Sequence, residues 1–228
     1  MNGESDPAGI HQVRELADAL GMAYAFGVEW DRRFNPDVPA PKGEHGIAVL
    51  SRFPLGNLTP IRHTPANDFW VERGDIGGRI TLGATLLVPT TTGDVQLRVY
   101  ASHLCTRPQF PSDDPRAVQG AEIRADASRP GRPVMQVVGG DLNTWTCNPA
   151  TNDCTSSPDA EEIIVDFLDD GWDDGTRGYN GITQLGEGFF PQRLDWLFVR
   201  GTGSLPGSAL TDVDGSDHLP LFTDVVLP

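Results

Sequence analysis

An acid and an amide stand two residues apart at Asp141 and Asn143, directly behind the short apolar run 134–138 and two glycines. In extended backbone, residues i and i+2 point to the same side, so this pair can face one pocket. The same stretch also reads as an Asx-rich turn that closes a core strand. Three further polar features recur in one setting, at or near predicted strand ends: His103, Asp195, and Asp217 with His218. Each alone has a plain structural reading. His103 fits a hydrogen-bonded interior histidine, Asp195 a buried acid paired with an arginine, and Asp217-His218 a turn before a strand. Together they supply carboxylate oxygens for a hard cation and imidazoles that move protons near neutral pH, which are the needs of phosphoester hydrolysis.

The elements that must carry these residues follow from periodicity and turn chemistry. Asp6 and Pro7 form a helix start, and Ile10, Val13, Leu16, Ala17 and Leu20 repeat at helical spacing until Gly21, which predicts a helix over 7–20. Strands are expected over 24–28 and 46–50, the latter followed by a proline bend and an antiparallel partner through Leu58 and Ile61. Segments 79–88 and 94–103 flank a Thr-Thr-Thr-Gly turn and predict a long hairpin that ends at His103. A helix over 115–127 then leads into the strand before Asp141, making a strand-helix-strand unit. A third helix starts at Ser157-Pro158, presents Ile163, Ile164, Phe167 and Leu168 to a core, and stops at Gly171. Strands over 194–199 and 219–227 complete the reading.

At 228 residues and 38% apolar, the chain suffices for one sizeable core, and one domain over 1–228 is expected. Acidic residues outnumber basic ones 32 to 17, a formal charge of −15 that opposes polyanion and anionic-membrane binding. No basic cluster of the kind that grips phosphate backbones is present, and no stretch is long and apolar enough to span a membrane. Cys147 and Cys154 bracket a polar loop that a disulfide could close, as in an exported protein, or they stay reduced.

The order of the motifs resembles the endonuclease/exonuclease/phosphatase superfamily with the deoxyribonuclease-I-like fold. Gly140-Asp141-Leu142-Asn143 matches its GDxN motif, Arg193-Leu194-Asp195-Trp196 its RxD strand, Ser216-Asp217-His218 its terminal SDH and Ser102-His103-Leu104 its mid-chain HL strand. Segment 46–54, GIAVLSRFP, is similar to its SR-x-P segment. The resemblance implies an α+β fold, a four-layer α/β/β/α sandwich of two mainly antiparallel sheets flanked by helices. It further implies a divalent-metal-dependent phosphoester hydrolase using Mg2+ or Mn2+, within a range that includes endonuclease-like and sphingomyelinase-like enzymes. Carried over, Asp141 and Asn143 bind the scissile phosphate and position or deprotonate water, and His103 is the candidate general acid. Asp195 orients His218, which contacts phosphate, and Asp217 helps hold the metal.

One departure concerns the start of the chain. The family's first strand, ending in asparagine, has no counterpart, and Glu4 stands where the metal-binding glutamate is expected, with Glu29 the weaker alternative. An N-terminally incomplete domain is therefore expected. The expected substrate is a small or lipid-linked phosphoester, with nucleic acid disfavoured by net charge. The alternative to the enzyme is a binding module that keeps the fold without its first strand.

Overall fold

The computed structural model describes residues 11–33, 35, 43–64, 76–106, 115–144, 162–177, 179, 181–185, 192–213 and 215–228. In chain order the elements are α1 (Gln12–Leu20), β1 (Ala23–Asp31), β2 (Glu44–Ser51), β3 (Leu55–Arg62), β4 (Ile76–Gly77), β5 (Ile80–Thr90) and β6 (Gly93–His103). There follow α2 (Arg116–Ala127), β7 (Met135–Asp141), α3 (Glu162–Asp169), β8 (Asp173–Asp174), β9 (Asp195–Arg200), β10 (Ser208–Ala209) and β11 (Leu221–Phe222).

The larger sheet has the order β3-β5-β6-β7-β9-β8, and the smaller β2-β1-β4. Every pairing is antiparallel except β6 with β7, which the α2 crossover makes parallel. The expected hairpin is β5 and β6, with Gly93 at φ +127° in its turn.

Two cores set the layer order. Ala25 and Ile47 of the small sheet meet Ile80 and Leu82 of the large one. On the other face of the large sheet, Tyr100, Val138 and Phe198 pack against Ile123 from α2 and Ile163, Ile164 and Phe167 from α3. Phe167 and Phe198 are fully buried and stacked, with centroids 4.7 Å apart. Each such side chain stabilises the fold by about 2 kcal/mol relative to leaving it in water. The opposite face of β1 carries α1, where the His11 ring lies 5.0 Å from Phe26 and 5.7 Å from Tyr24. The result is the expected sandwich of helix, sheet, sheet and helices.

Four local expectations change. The helix described is Gln12–Leu20 rather than 7–20, because His11 takes extended dihedrals and caps it, its Nδ1 accepting the Arg14 N–H at 3.2 Å. Asp6 and Pro7 lie outside the described residues, as does the start of the third helix. β2 and β3 do not pair with each other. The Ser51 hydroxyl accepts the Phe53 N–H at 2.9 Å, and beyond Pro54 the chain crosses to the other sheet, where β3 pairs with β5 as an edge strand that tolerates Pro60. Leu168 is 45% exposed, at the end of a helix that turns off the core through Gly171. The last segment is not one strand over 219–227. Only Leu221–Phe222 pairs with β10, and Pro220, lacking an N–H, stands just before it.

Gly140 is the position where sequence and fold are tied most tightly. It sits at φ +139°, and a Cβ there would come 2.0 Å from the Ser102 carbonyl oxygen of β6. Only glycine allows β7 to run this close to its parallel neighbour. Gly140→Ala is expected to lower stability by about 1–3 kcal/mol in urea unfolding; an unchanged transition would show that the strands have room to part.

Candidate active site

Strand register places three side chains in a row. β6 pairs His103 with Asp141 on β7, and β7 pairs Asp141 with Asp195 on β9. Directly opposed residues on adjacent strands have their Cα atoms about 5 Å apart. The row therefore follows from backbone pairing. It opens into a cavity of about 630 Å³ lined by His103, Asp141, Asn143, Asp195, Asp217 and His218.

Asp141 and Asn143 reach the cavity by a turn, not by strand alternation. Asn143 has φ +49°, and its N–H donates to Asp141 Oδ1 at 2.8 Å. The Asx-turn reading and the shared-pocket reading thus describe one geometry. The turn is tied to its neighbours: Asn143 Nδ2 donates to the Leu104 carbonyl at 2.9 Å, and the Leu104 and Leu142 N–H groups donate to the Asp141 and Leu194 carbonyls at 3.0 Å each. Arg116, buried on α2, donates to the Asn143 carbonyl.

The second half of the site is an acid–imidazole pair. His218 Nδ1 lies 2.7 Å from Asp195 Oδ2, and its Nε2 lies 4.0 Å from Asp141 Oδ2. Burial alone would lower the His218 pKa, but the hydrogen bond and charge of Asp195, then Asp141 and Asp217, outweigh it and raise it to about 9. Burial, with help from the Asp195 charge, pushes the Asp141 carboxyl above the usual range, against the pull of His103, His218 and the Asn143 N–H. Among the described residues, Asp195 is not paired with an arginine. The nearby Arg193 instead donates to Asp174 and Thr176 and stacks 3.8 Å over Trp196.

Around His103 lies a cluster that sequence reasoning missed in part. Glu29, weighed only as a second choice for a metal ligand, is fully buried, with Oε2 3.6 Å from Nδ1 of both His103 and His45. Its two oxygens have no hydrogen bond among the described residues. Burial would raise its pKa, yet His103, His45 and Arg79 bring it down to about 2. Arg79 Nη1 sits 2.6 Å from the ring nitrogens of His103, and the guanidinium carbon lies 4.4 Å over the Trp30 ring. A register shift in β1 between Val28 and Trp30 re-aims Glu29 toward this cluster. The available signal was an acid inside an apolar strand, the same signal that singled out Asp195.

Glu4, the expected metal ligand, lies outside the described residues, and so do Cys147 and Cys154. Asp217 is exposed at the cavity rim. Among the described residues no group of three His, Cys, Asp or Glu side chains is placed to hold a metal. The donor chemistry still suits a hard cation, because Asp141, Asp195 and Asp217 concentrate carboxylate oxygens at one cavity. No helix among the described residues is long and apolar enough to cross a membrane.

The sequence profile described as the Endonuclease/Exonuclease/phosphatase family matches residues 4–218. The chain belongs to this family. Its members are phosphoester hydrolases, and family enzymes generally use a divalent metal. No curated protein matches the chain. Among solved structures it is similar to an endonuclease/exonuclease/phosphatase from Beutenbergia cavernae DSM 12333 (TM-score 0.63, 23% identity), covering 95% of this chain and 56% of that one. The chain thus spans little more than half the length of the Beutenbergia protein. The human Nocturnin catalytic domain with bound sulfate is similar at TM-score 0.61 and 19% identity, covering 94% of this chain and 75% of that one. The 3′ phosphatase NExo from Neisseria, bound to a product DNA hairpin, is similar at TM-score 0.60 and 16% identity, covering 93% of this chain and 82% of that one. At these identities the likeness is one of fold.

The charge arrangement makes a direct prediction. In an NMR titration the His218 ring should lose its proton near pH 9, and Asp195→Asn should shift that midpoint down toward about 6.5, the value of an unperturbed histidine. A wild-type midpoint already near the ordinary value would contradict the pairing.

Proposed function

We propose that this chain is a divalent-metal-dependent phosphoester hydrolase acting on a small or lipid-linked phosphoester. The observation that carries the reading is the convergence of His103, Asp141, Asn143, Asp195 and His218 on one cavity, with the Asp195–His218 contact at 2.7 Å.

Each residue has a role its surroundings support. Asp141, held above the usual carboxylate range by burial, is a better proton acceptor than an ordinary aspartate and takes the proton from the attacking water. Asn143 spends one amide hydrogen on Leu104, and the other would hold a phosphate oxygen in line. His218, cationic up to about pH 9, opposes the negative charge that grows on the phosphoryl oxygens, and Asp195 fixes the orientation of its ring. His103 gives its proton to the leaving oxygen, with the ionised Glu29 orienting the ring. Asp217 together with Glu4 would hold Mg2+ or Mn2+, which when bound supplies charge neutralisation at the phosphate. All of these roles belong to a single domain over 1–228.

Net charge supports the substrate class. At −15 the chain is poorly suited to a ligand that must bring many phosphates with it. The DNA held by the Neisseria relative shows what that protein binds, so nucleic acid stays in the test as the competing substrate.

Hydrolysis of bis(p-nitrophenyl) phosphate, sphingomyelin and plasmid DNA should be compared with Mg2+ or Mn2+ present. Expected is turnover of the small or lipid-linked esters, abolished by EDTA and reduced about 10³-fold by Asp141→Ala. Because His218 acts in its protonated form, the rate should fall as pH rises through about 9. Turnover that ignores EDTA or Asp141→Ala would overturn the proposal. A well-folded protein that binds neither Mg2+ nor Mn2+ in calorimetry would instead favour a binding module.

A further inference from the structure

The Asp195–His218 pair joins two segments that are 23 residues apart in sequence. What holds both is Thr183. This residue is fully buried, and its hydroxyl oxygen accepts two backbone N–H groups, from Leu194 at 2.9 Å and from Asp195 at 3.0 Å. A hydroxyl has two acceptor lone pairs, so both are used on the start of β9, one of them on Asp195 itself. On the other side, the Leu219 N–H donates to the Thr183 carbonyl at 2.6 Å, and the Leu185 N–H donates to the Asp217 carbonyl at 2.8 Å. Gln184 forms an isolated bridge with His218 between these two bonds. The Thr183 N–H donates to the Gln192 carbonyl at 2.8 Å, tying the same segment to the approach to β9.

We propose that Thr183 is a positioning residue for the Asp195–His218 pair, its side chain fixing the backbone that carries Asp195 while its main chain fixes the backbone that carries His218. The proposal rests on the hydrolase reading for its kinetic consequence, but its structural content stands apart from turnover. The side chain is specific to the task. Valine has the same shape without the acceptor and would leave two buried N–H groups unpaired, while serine keeps the acceptor and loses a methyl. Thr183 is not among the residues that line the cavity. Its loss should therefore act on the chemical step and spare substrate binding.

The test compares wild type with Thr183→Val and Thr183→Ser. In the wild-type protein, free of substrate, the amides of Leu194 and Asp195 should exchange with deuterium as slowly as β-strand amides. A downfield proton resonance from His218 Nδ1–H against Asp195 should be visible at a fixed neutral pH. Thr183→Val should lose that resonance and lower kcat about 10- to 100-fold with KM changed by less than about 3-fold. Thr183→Ser should keep the resonance and stay within about 3-fold of wild-type kcat. Fast exchange of the two amides in wild type overturns the proposal without any variant, which covers the case in which Thr183→Val does not fold. A folded Thr183→Val that keeps the resonance and kcat also overturns it. If wild type shows the resonance and slow amides but no turnover, the hydrolase reading fails and the positioning role stands.

Discussion

Everything proposed for this molecule depends on the parallel β6–β7 pairing in its large sheet. β7 lies between β6 and β9 in a register that sets His103, Asp141 and Asp195 side by side. If β7 slipped by one residue against either neighbour, every side chain on it would change face and Asp141 would leave the cavity. The register is pinned from several directions. Gly140 lets the backbone of β7 approach Ser102, where a Cβ would collide with the carbonyl. Beyond the strand, the Asp141 carbonyl accepts from Leu104, and Leu142 donates to Leu194. Below it, Val138 and Phe198 are locked into the aromatic core with Phe167. The apolar core thus fixes where the polar row must end.

The polar row is a concentration of charge that the fold must balance. Asp141 and Asp195 are cross-strand neighbours, and like charges so placed repel. Burial raises the Asp141 carboxyl first and this repulsion adds to it, and His218, which partly relieves it, becomes more basic as a result. On the far side of the row, Glu29 carries a buried charge with two imidazoles and Arg79 around it. Such an arrangement is costly as a structural device, because it buries charge, and groupings of this kind recur where acid–base chemistry is done. Under the proposed function, a phosphoester would bring negative charge to it and a divalent cation would bring the compensation.

Much of this was legible in the sequence, for identifiable reasons. The layer architecture followed from motif order, and the β5–β6 hairpin and the β6-α2-β7 unit followed from alternation, turn residues and caps. The residues of the candidate site stood out because acids and histidines interrupted apolar runs. Glu29 carried the same signal but was read as a stand-in for Glu4, because the register shift in β1 that turns it toward His103 leaves no mark in composition. Pairing partners were harder. Whether the strand after Pro54 returns beside β2 or crosses to the other sheet depends on long-range packing, and the crossing won. The final segment reads as a strand over 219–227, yet it pairs with β10 for only two residues. Thr183 was invisible for a different reason: its significance lies in two backbone N–H groups at the start of a distant strand, and a lone threonine in a loop gives no such hint.

The central claim is that Asp195 and His218 act as one unit beside Asp141. A kinetic double-mutant cycle tests it most directly, with phosphodiester hydrolysis measured for wild type, Asp195→Asn, His218→Gln and the double variant under saturating divalent metal. Residues that act as a unit give strongly non-additive losses. The double variant is therefore expected to lose about as much kcat/KM as His218→Gln alone. Losses that multiply, as for two independent groups, would contradict the account.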